Sequence, residues 1–124
     1  LKVDKGSIFK NLDLLISLTT TFEGFGLSIA ESMLYGVPIL TTNVGAVPEF
    51  VNNKNGKLIN PDNEKELIAS LKSFIIFNKE WKKKAKIAKK DIKNKFSVNK
   101  MANAYMNHFI KIKHNDTKNN KTIY

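Results

Sequence analysis

The sequence predicts an α/β fold in which a parallel sheet is flanked by helices. Three stretches carry that prediction. Asp13-Leu14-Leu15-Ile16-Ser17-Leu18 is a short apolar run, the pattern of a strand buried in a parallel sheet. Leu27 to Tyr35 reads as a helix, closed by Gly36 with Pro38 two residues on, a stop signal that uses glycine's left-handed freedom and proline's missing donor. Pro38-Ile39-Leu40-Thr41-Thr42 is the next strand, with Pro at its first position, where no ladder donor is lost. Strand, helix and strand in this order predict a right-handed crossover and a parallel pair.

The remaining elements extend this unit. Ser7 to Lys10 offers a helical turn before the first strand. Leu27, Ala30, Met33 and Leu34 fall at helical spacing and predict the buried stripe of the first long helix. Asn43-Val44-Gly45 turns out of the sheet, and Val47 to Val51 is a short helix with Pro48 in its first turn. After the turn at Asn52–Gly56, Lys57-Leu58-Ile59 is a third strand. Asn60-Pro61-Asp62-Asn63 caps a helix whose apolar face is Leu67, Ile68, Leu71, Phe74 and Ile75. Glu80 to Lys95 is a helix with a thin apolar set of Trp81, Ala85, Ile87, Ala88 and Ile92. Phe96-Ser97-Val98 interrupts it, and Asn99 to Lys111 resumes with Met101, Ala104, Tyr105, His108 and Phe109 at helical spacing, His108 being read as packed. The expected organisation is a sheet-bearing part over 1–78, basic helices over 79–112 and a polar, disordered tail over 113–124.

Charge follows the same division. Residues 1–78 carry seven Lys against eight acids, a net of −1, and residues 79–124 carry fourteen Lys against three acids, a net of +11. Every basic residue is Lys, so bidentate guanidinium recognition of phosphate is excluded for this chain. Aromatics are not interleaved with the lysines as a base-stacking platform requires, and no nucleic-acid partner is expected. The Lys79–Lys95 helix is an ordinary solvated face or, alternatively, lies on an anionic membrane surface, a partner open to the lysine-rich C-terminal helices over 79–112 as a whole. There is no cysteine for a disulfide or thiolate metal site, and no apolar run is long enough to span a bilayer. No cluster of Asp, Glu and His has metal-ligand spacing, so no metal and no other cofactor is expected. The default expectation is a cytoplasmic protein, with a peripheral position at the inner membrane face as the option its lysines open.

Phe22 to Val51 is where chemistry concentrates. Glu23-Gly24-Phe25-Gly26 is a tight turn whose glycines permit positive φ and close backbone approach to a ligand. It runs straight into a helix, whose first amides lack intrahelical partners and carry the positive end of the dipole, a ready anion site. Glu23 and Glu31 are separated by seven residues. Glu31 lies about one turn inside the helix, roughly 6 Å along its axis at about 1.5 Å per residue. A carboxylate there would repel a phosphate but suits hydroxyls, as an acidic residue does for ribose in dinucleotide folds. Taken alone, Glu31 is an ordinary solvated glutamate and Glu23 a turn residue that favours the helix start by its charge.

The surroundings change that balance. The glutamate pair inside EGFG, followed by ESMLYGVPIL and closed by NVGAVPEFV with Gly45, Pro48 and Glu49, resembles the donor-nucleotide half of group 1 glycosyltransferases. The resemblance covers roughly residues 11–75. It implies a Rossmann-like sheet, part of the C-terminal domain of a two-domain retaining enzyme of the family-4 type, with a helical C-terminal extension. It implies that Glu23 is catalytic, touching the transferred sugar and supporting positive charge at the anomeric carbon. Gly24, Phe25, Gly26, Leu27 and Ser28 would bind the nucleotide-sugar donor through backbone amides, and Glu31 would hold its ribose hydroxyls. The partners implied are that donor and a glycan or lipid acceptor. The Gly45–Glu49 segment is read as a structural corner. The family's diphosphate-holding Lys and Arg fall on an earlier strand-loop that this sequence does not include. The chain opens on Leu1 in mid-pattern, so it is expected to be a piece of a longer protein and inactive by itself. The alternative is a non-catalytic fragment or basic interaction module that retains the α/β unit.

Overall fold

The computed structural model describes residues 4–119, with the side chains of Lys5 and of 113–119 left aside. The chain divides into two compact units, Leu1–Lys93 and Asn94–Tyr124. In the first, α1 (Lys5–Lys10), β1 (Leu15–Ser17), α2 (Leu27–Tyr35), β2 (Ile39–Thr42), a 3-10 turn (Val47–Glu49), β3 (Lys57–Ile59), α3 (Glu64–Ile76) and α4 (Asn78–Lys95) follow in order, and α5 (Val98–Asn119) builds the second.

The three strands form one parallel sheet in the order β1-β2-β3. Leu15 stands opposite Ile39 and Ser17 opposite Thr41, while Leu40 stands opposite Lys57 and Thr42 opposite Ile59. β2 is central and all four of its residues are buried. β1 is an edge strand, and here the expected burial on both faces fails: Ile16 is 45% exposed.

Alternate residues of a strand point to opposite faces, and the core divides accordingly. Ile39 joins Ile29, Met33, Val47, Phe50, Val51, Ala88 and Ile92. Leu40 joins Ile59 and Trp81, with Leu67, Leu71 and Phe74 packed against them. α4 supplies residues to both clusters, so it belongs to the sheet-bearing unit despite its lysines. Between its two contributions, Lys84 Nζ donates to the Gly56 carbonyl just before β3 (3.4 Å) and sits 5.8 Å from the Trp81 ring centre. The helix therefore passes the β3 edge of the sheet. Trp81 is further fixed by an edge-on contact with Phe74 and by its indole N–H, which donates to Ser73 Oγ.

Two apolar faces differ from expectation. The buried side of α2 is Ile29, Ala30, Ser32 and Met33, while Leu27 is 70% exposed and Leu34 is exposed too. On α3, Leu67, Leu71 and Phe74 pack, but Ile68 and Ile75 face outward. The α3 start is built as its sequence predicts: Asn63 Oδ1 accepts from the Glu66 N–H, and Glu66 Oε2 reaches back to the Asn60 N–H.

In the second unit, Ser97 caps α5. Its carbonyl accepts from the Met101 N–H, and its hydroxyl accepts from the Lys100 N–H at 3.3 Å. The α5 helix continues through the start of the polar tail to Asn119, and residues 120–124 lie outside the described part. His108, expected to be packed, is exposed.

Candidate functional site

The candidate residues gather at the carboxyl end of β1 and the N-terminus of α2, where ligands of open α/β sheets bind. The loop out of β1 is anchored first: Thr42 Oγ1 donates to the Thr19 carbonyl at 2.5 Å, so the end of β2 holds the segment that leads to Glu23. Glu23 is partly buried, and its Oε1 accepts from the Gly26 N–H at 2.9 Å. That bond closes the Glu23–Gly26 turn and orients the carboxylate toward the helix start.

Gly26 is the N-cap of α2, in the left-handed region with φ 72°, and its carbonyl accepts the first helical bond from Ala30. No side chain caps this end. With a glycine at the cap, the amides of Leu27, Ser28 and Ile29 form an open end that carries the positive pole of the helix. Leu27, Ser28 and Gly24 are all exposed around it. Glu31 is half-buried. It stands one turn beyond Leu27 and Ser28, four and three residues on, and hence on the same outer face of α2. Phe25 differs from the others: its ring packs on Phe50 with centroids 5.3 Å apart, against the core cluster. Its side chain is structural.

The backbone of Glu23 is held from the other side by the segment after β2. The Ala46 N–H donates to the Glu23 carbonyl at 3.0 Å, and Gly45, with φ 53°, packs directly on the Glu23 peptide. The Gly45–Glu49 corner is thus the support on which the turn rests. Behind it, buried Asn55 fixes the following turn: its Nδ2 donates to the Phe50 carbonyl (2.9 Å) and to Asp91 Oδ2 of α4 (3.0 Å), and its Oδ1 accepts from the Asn52 N–H. Sequence reading gave Asn55 no more than a turn. The asparagine-rich composition of that turn marks it as polar but gives no sign of its partner on α4.

A cavity of about 350 Å³ also opens at the carboxyl ends of the strands, lined by Leu18, Thr20, Thr42, Ile59, Asn60, Asp62, Asn63, Glu64 and Leu67. None of the candidate residues lines it. They form an open wall instead, polar at the glutamates and amides and apolar at Leu27.

The family described as glycosyl transferases group 1 matches residues 2–95. The chain belongs to this family. The matched span ends with α4, so it includes the whole sheet, both core clusters and the Glu23–Glu31 segment. Among curated relatives of this glycosyl transferase chain, an uncharacterised 41.2 kDa protein in the cps region of Klebsiella pneumoniae is 30% identical over 90 residues, covering 72% of this chain and 25% of its own length. The lipopolysaccharide core biosynthesis mannosyltransferase LpsB of Rhizobium meliloti is 34% identical over 70 residues, covering 54% of this chain and 20% of its own. Among solved structures, Anabaena HepE in complex with UDP-glucose is similar with a TM-score of 0.77 and 25% identity, over 84% of this chain and 29% of that one. The chain spans a quarter or less of these two curated relatives. Its sheet is the Rossmann-like one of this family's neighbours.

Proposed function

We propose that this chain is the donor-binding part of a retaining glycosyltransferase that moves a hexose-type sugar from a nucleotide-sugar to a glycan or lipid acceptor, on the cytoplasmic side of a cell. The observation that carries the reading is the uncapped N-terminus of α2, placed between the Glu23 and Glu31 carboxylates. In it, the amides of Gly24, Leu27 and Ser28 receive the diphosphate and sugar hydroxyls, where the helix dipole favours negative charge, while the Gly26 N–H stays on Glu23 Oε1 and shapes the turn. Glu31, one turn along the same face, accepts hydrogen bonds from the ribose hydroxyls. Glu23 stands at the transferred sugar and offsets the positive charge that grows at the anomeric carbon. The named relatives support this reading in kind, since one is a mannosyltransferase and one was crystallised with UDP-glucose.

The wall is open, and sugar transfer needs donor and acceptor held together away from water. The 124-residue chain alone is therefore proposed to transfer no sugar. Calorimetric titration of the chain with UDP, GDP and ADP tests the binding role. Binding of one of them, weakened by Glu31→Gln, is the expected result. Absence of binding to all three would favour the alternative, a non-catalytic module that retains the α/β unit. Sugar transfer or donor hydrolysis by the isolated chain would refute its proposed inactivity.

A further inference from the structure

We propose that Thr42 is a positioning residue for Glu23, its hydroxyl setting where the loop out of β1 delivers that carboxylate. The β1–β2 ladder ends with Ser17 opposite Thr41. The next tie between the two segments is made by a side chain, Thr42 Oγ1 donating to the Thr19 carbonyl. A second tie follows where the Ala46 N–H donates to the Glu23 carbonyl. Residues 42–46 thus hold both feet of an arch over 19–23. Its middle, Thr20, Thr21 and Phe22, is exposed, Phe22 at 74%. Both ties join described residues within the chain, so neither depends on what else the protein contains.

The donor end of the first tie is rigid. Thr42 closes the central strand, is 3% exposed and stands opposite Ile59, whose carbonyl accepts from the Asn43 N–H. The Thr19 end has no such support from the ladder, because β1 stops at Ser17. The hydroxyl therefore fixes the start of the arch to β2, and the arch carries that placement to Glu23. A carboxylate that answers charge growing at one carbon depends on it, since a misplacement of about 1 Å can cost on the order of 100-fold in rate. Donor binding asks less of Thr42. The amides of Leu27 and Ser28 belong to α2, which Ile29 and Met33 hold in the core. The proposal rests on the reading of Glu23 as the group that faces the transferred sugar.

Two measurements test it. The first is native-state hydrogen exchange of the 124-residue chain carrying Thr42→Val, which keeps the shape of the side chain and removes the donor. The Gly26 and Ala46 amides, both bonded to Glu23, should exchange about fivefold or more faster, beyond any rise shared with the β2 amides. Thr42→Ser, which keeps the hydroxyl, should restore their protection. The second measurement is turnover in a full-length protein that carries this domain. There Thr42→Val should lower turnover at saturating donor about tenfold, leave the donor KM within about twofold, and be rescued by Thr42→Ser. Exchange that rises only in step with β2, or a serine variant that behaves like the valine one, would overturn the proposal. So would a raised donor KM with unchanged turnover, which would make Thr42 a ligand contact in the cavity it lines. Glu23→Gln in the same protein tells the two readings apart. Should it lower turnover while Thr42→Val does not, Thr42 is no positioning residue. Should it leave turnover unchanged, the catalytic reading of Glu23 falls instead, and the exchange result alone decides whether Thr42 places it.

Discussion

A side chain on Gly45 would begin at the carbonyl oxygen of Glu23: a Cβ built there falls within 2.9 Å of the Glu23 carbonyl carbon and 2.8 Å of its nitrogen. These residues are 22 positions apart in sequence, in the segments that follow two different strands. Gly45→Ala must displace the Glu23 peptide and also hold a non-glycine residue at φ 53°. The backbone strain alone costs about 1–3 kcal/mol. A lowered urea midpoint is expected, together with loss of nucleotide binding. Gly24→Ala is the control, because its nearest foreign atom would be 3.9 Å away, in the Phe22 ring. That substitution should change stability by no more than about 0.5 kcal/mol. If both alanine variants melt alike, Gly45 is not the support described.

Asn55 ties three segments through one buried amide. Asn55→Ala leaves the Phe50 carbonyl and the Asn52 N–H without their side-chain partner and frees Asp91. A loss of about 1–3 kcal/mol is expected in denaturant unfolding, the scale for a buried hydrogen-bonding network that loses its central side chain. A double-mutant cycle with Asp91→Ala should show coupling between the two positions, and additive losses would contradict the bond.

Ser32 is fully buried on α2, and its hydroxyl has no hydrogen-bond partner among the described residues. Ser32→Ala removes that unpaired group and substitutes a stronger helix former. The chain should become more stable by about 0.5–1 kcal/mol. A drop in thermal midpoint would mean that the hydroxyl is bonded after all.

The two glutamates should separate kinetically in a full-length protein that carries this domain. Glu31→Gln keeps shape and removes charge, so nucleotide affinity should fall by about 1.5–3 kcal/mol, the worth of a charge-assisted hydrogen bond. Glu23→Gln retains an oxygen that can accept from the Gly26 N–H, so the turn should survive. Turnover at saturating donor should then fall more than donor binding. Unchanged affinity in the first variant or unchanged turnover in the second would remove the role proposed for that residue.

Much of the fold was legible because its signals are local. Gly36 with Pro38 ends α2, Asn63 starts α3, and the apolar runs around Ile16 and Leu40 mark parallel strands. The candidate site was legible for the same reason, since Glu23 through Glu31 is one continuous stretch. What failed depends on distant partners. The α2 sequence is apolar on several sides, and only the sheet decides that Ile29 and Met33 turn inward while Leu27 and Leu34 turn out. Ile16 is exposed because β1 is an edge strand, which its own composition does not show. The partner of Asn55 lies 36 residues away on a helix whose lysines suggest a solvated face.

The route of α4 past the β3 edge also fixes when this domain can fold on the ribosome. All three strands and α2 have been synthesised before Trp81, Ala88 and Ile92 exist to close the two sides of the sheet. Until those residues emerge, α2 and α3 cover the two faces of the sheet without the α4 members of either cluster. A gene cut at the charge boundary after Asn78 would leave both clusters incomplete. The domain is finished by its most basic helix, the one that composition alone would have trimmed away.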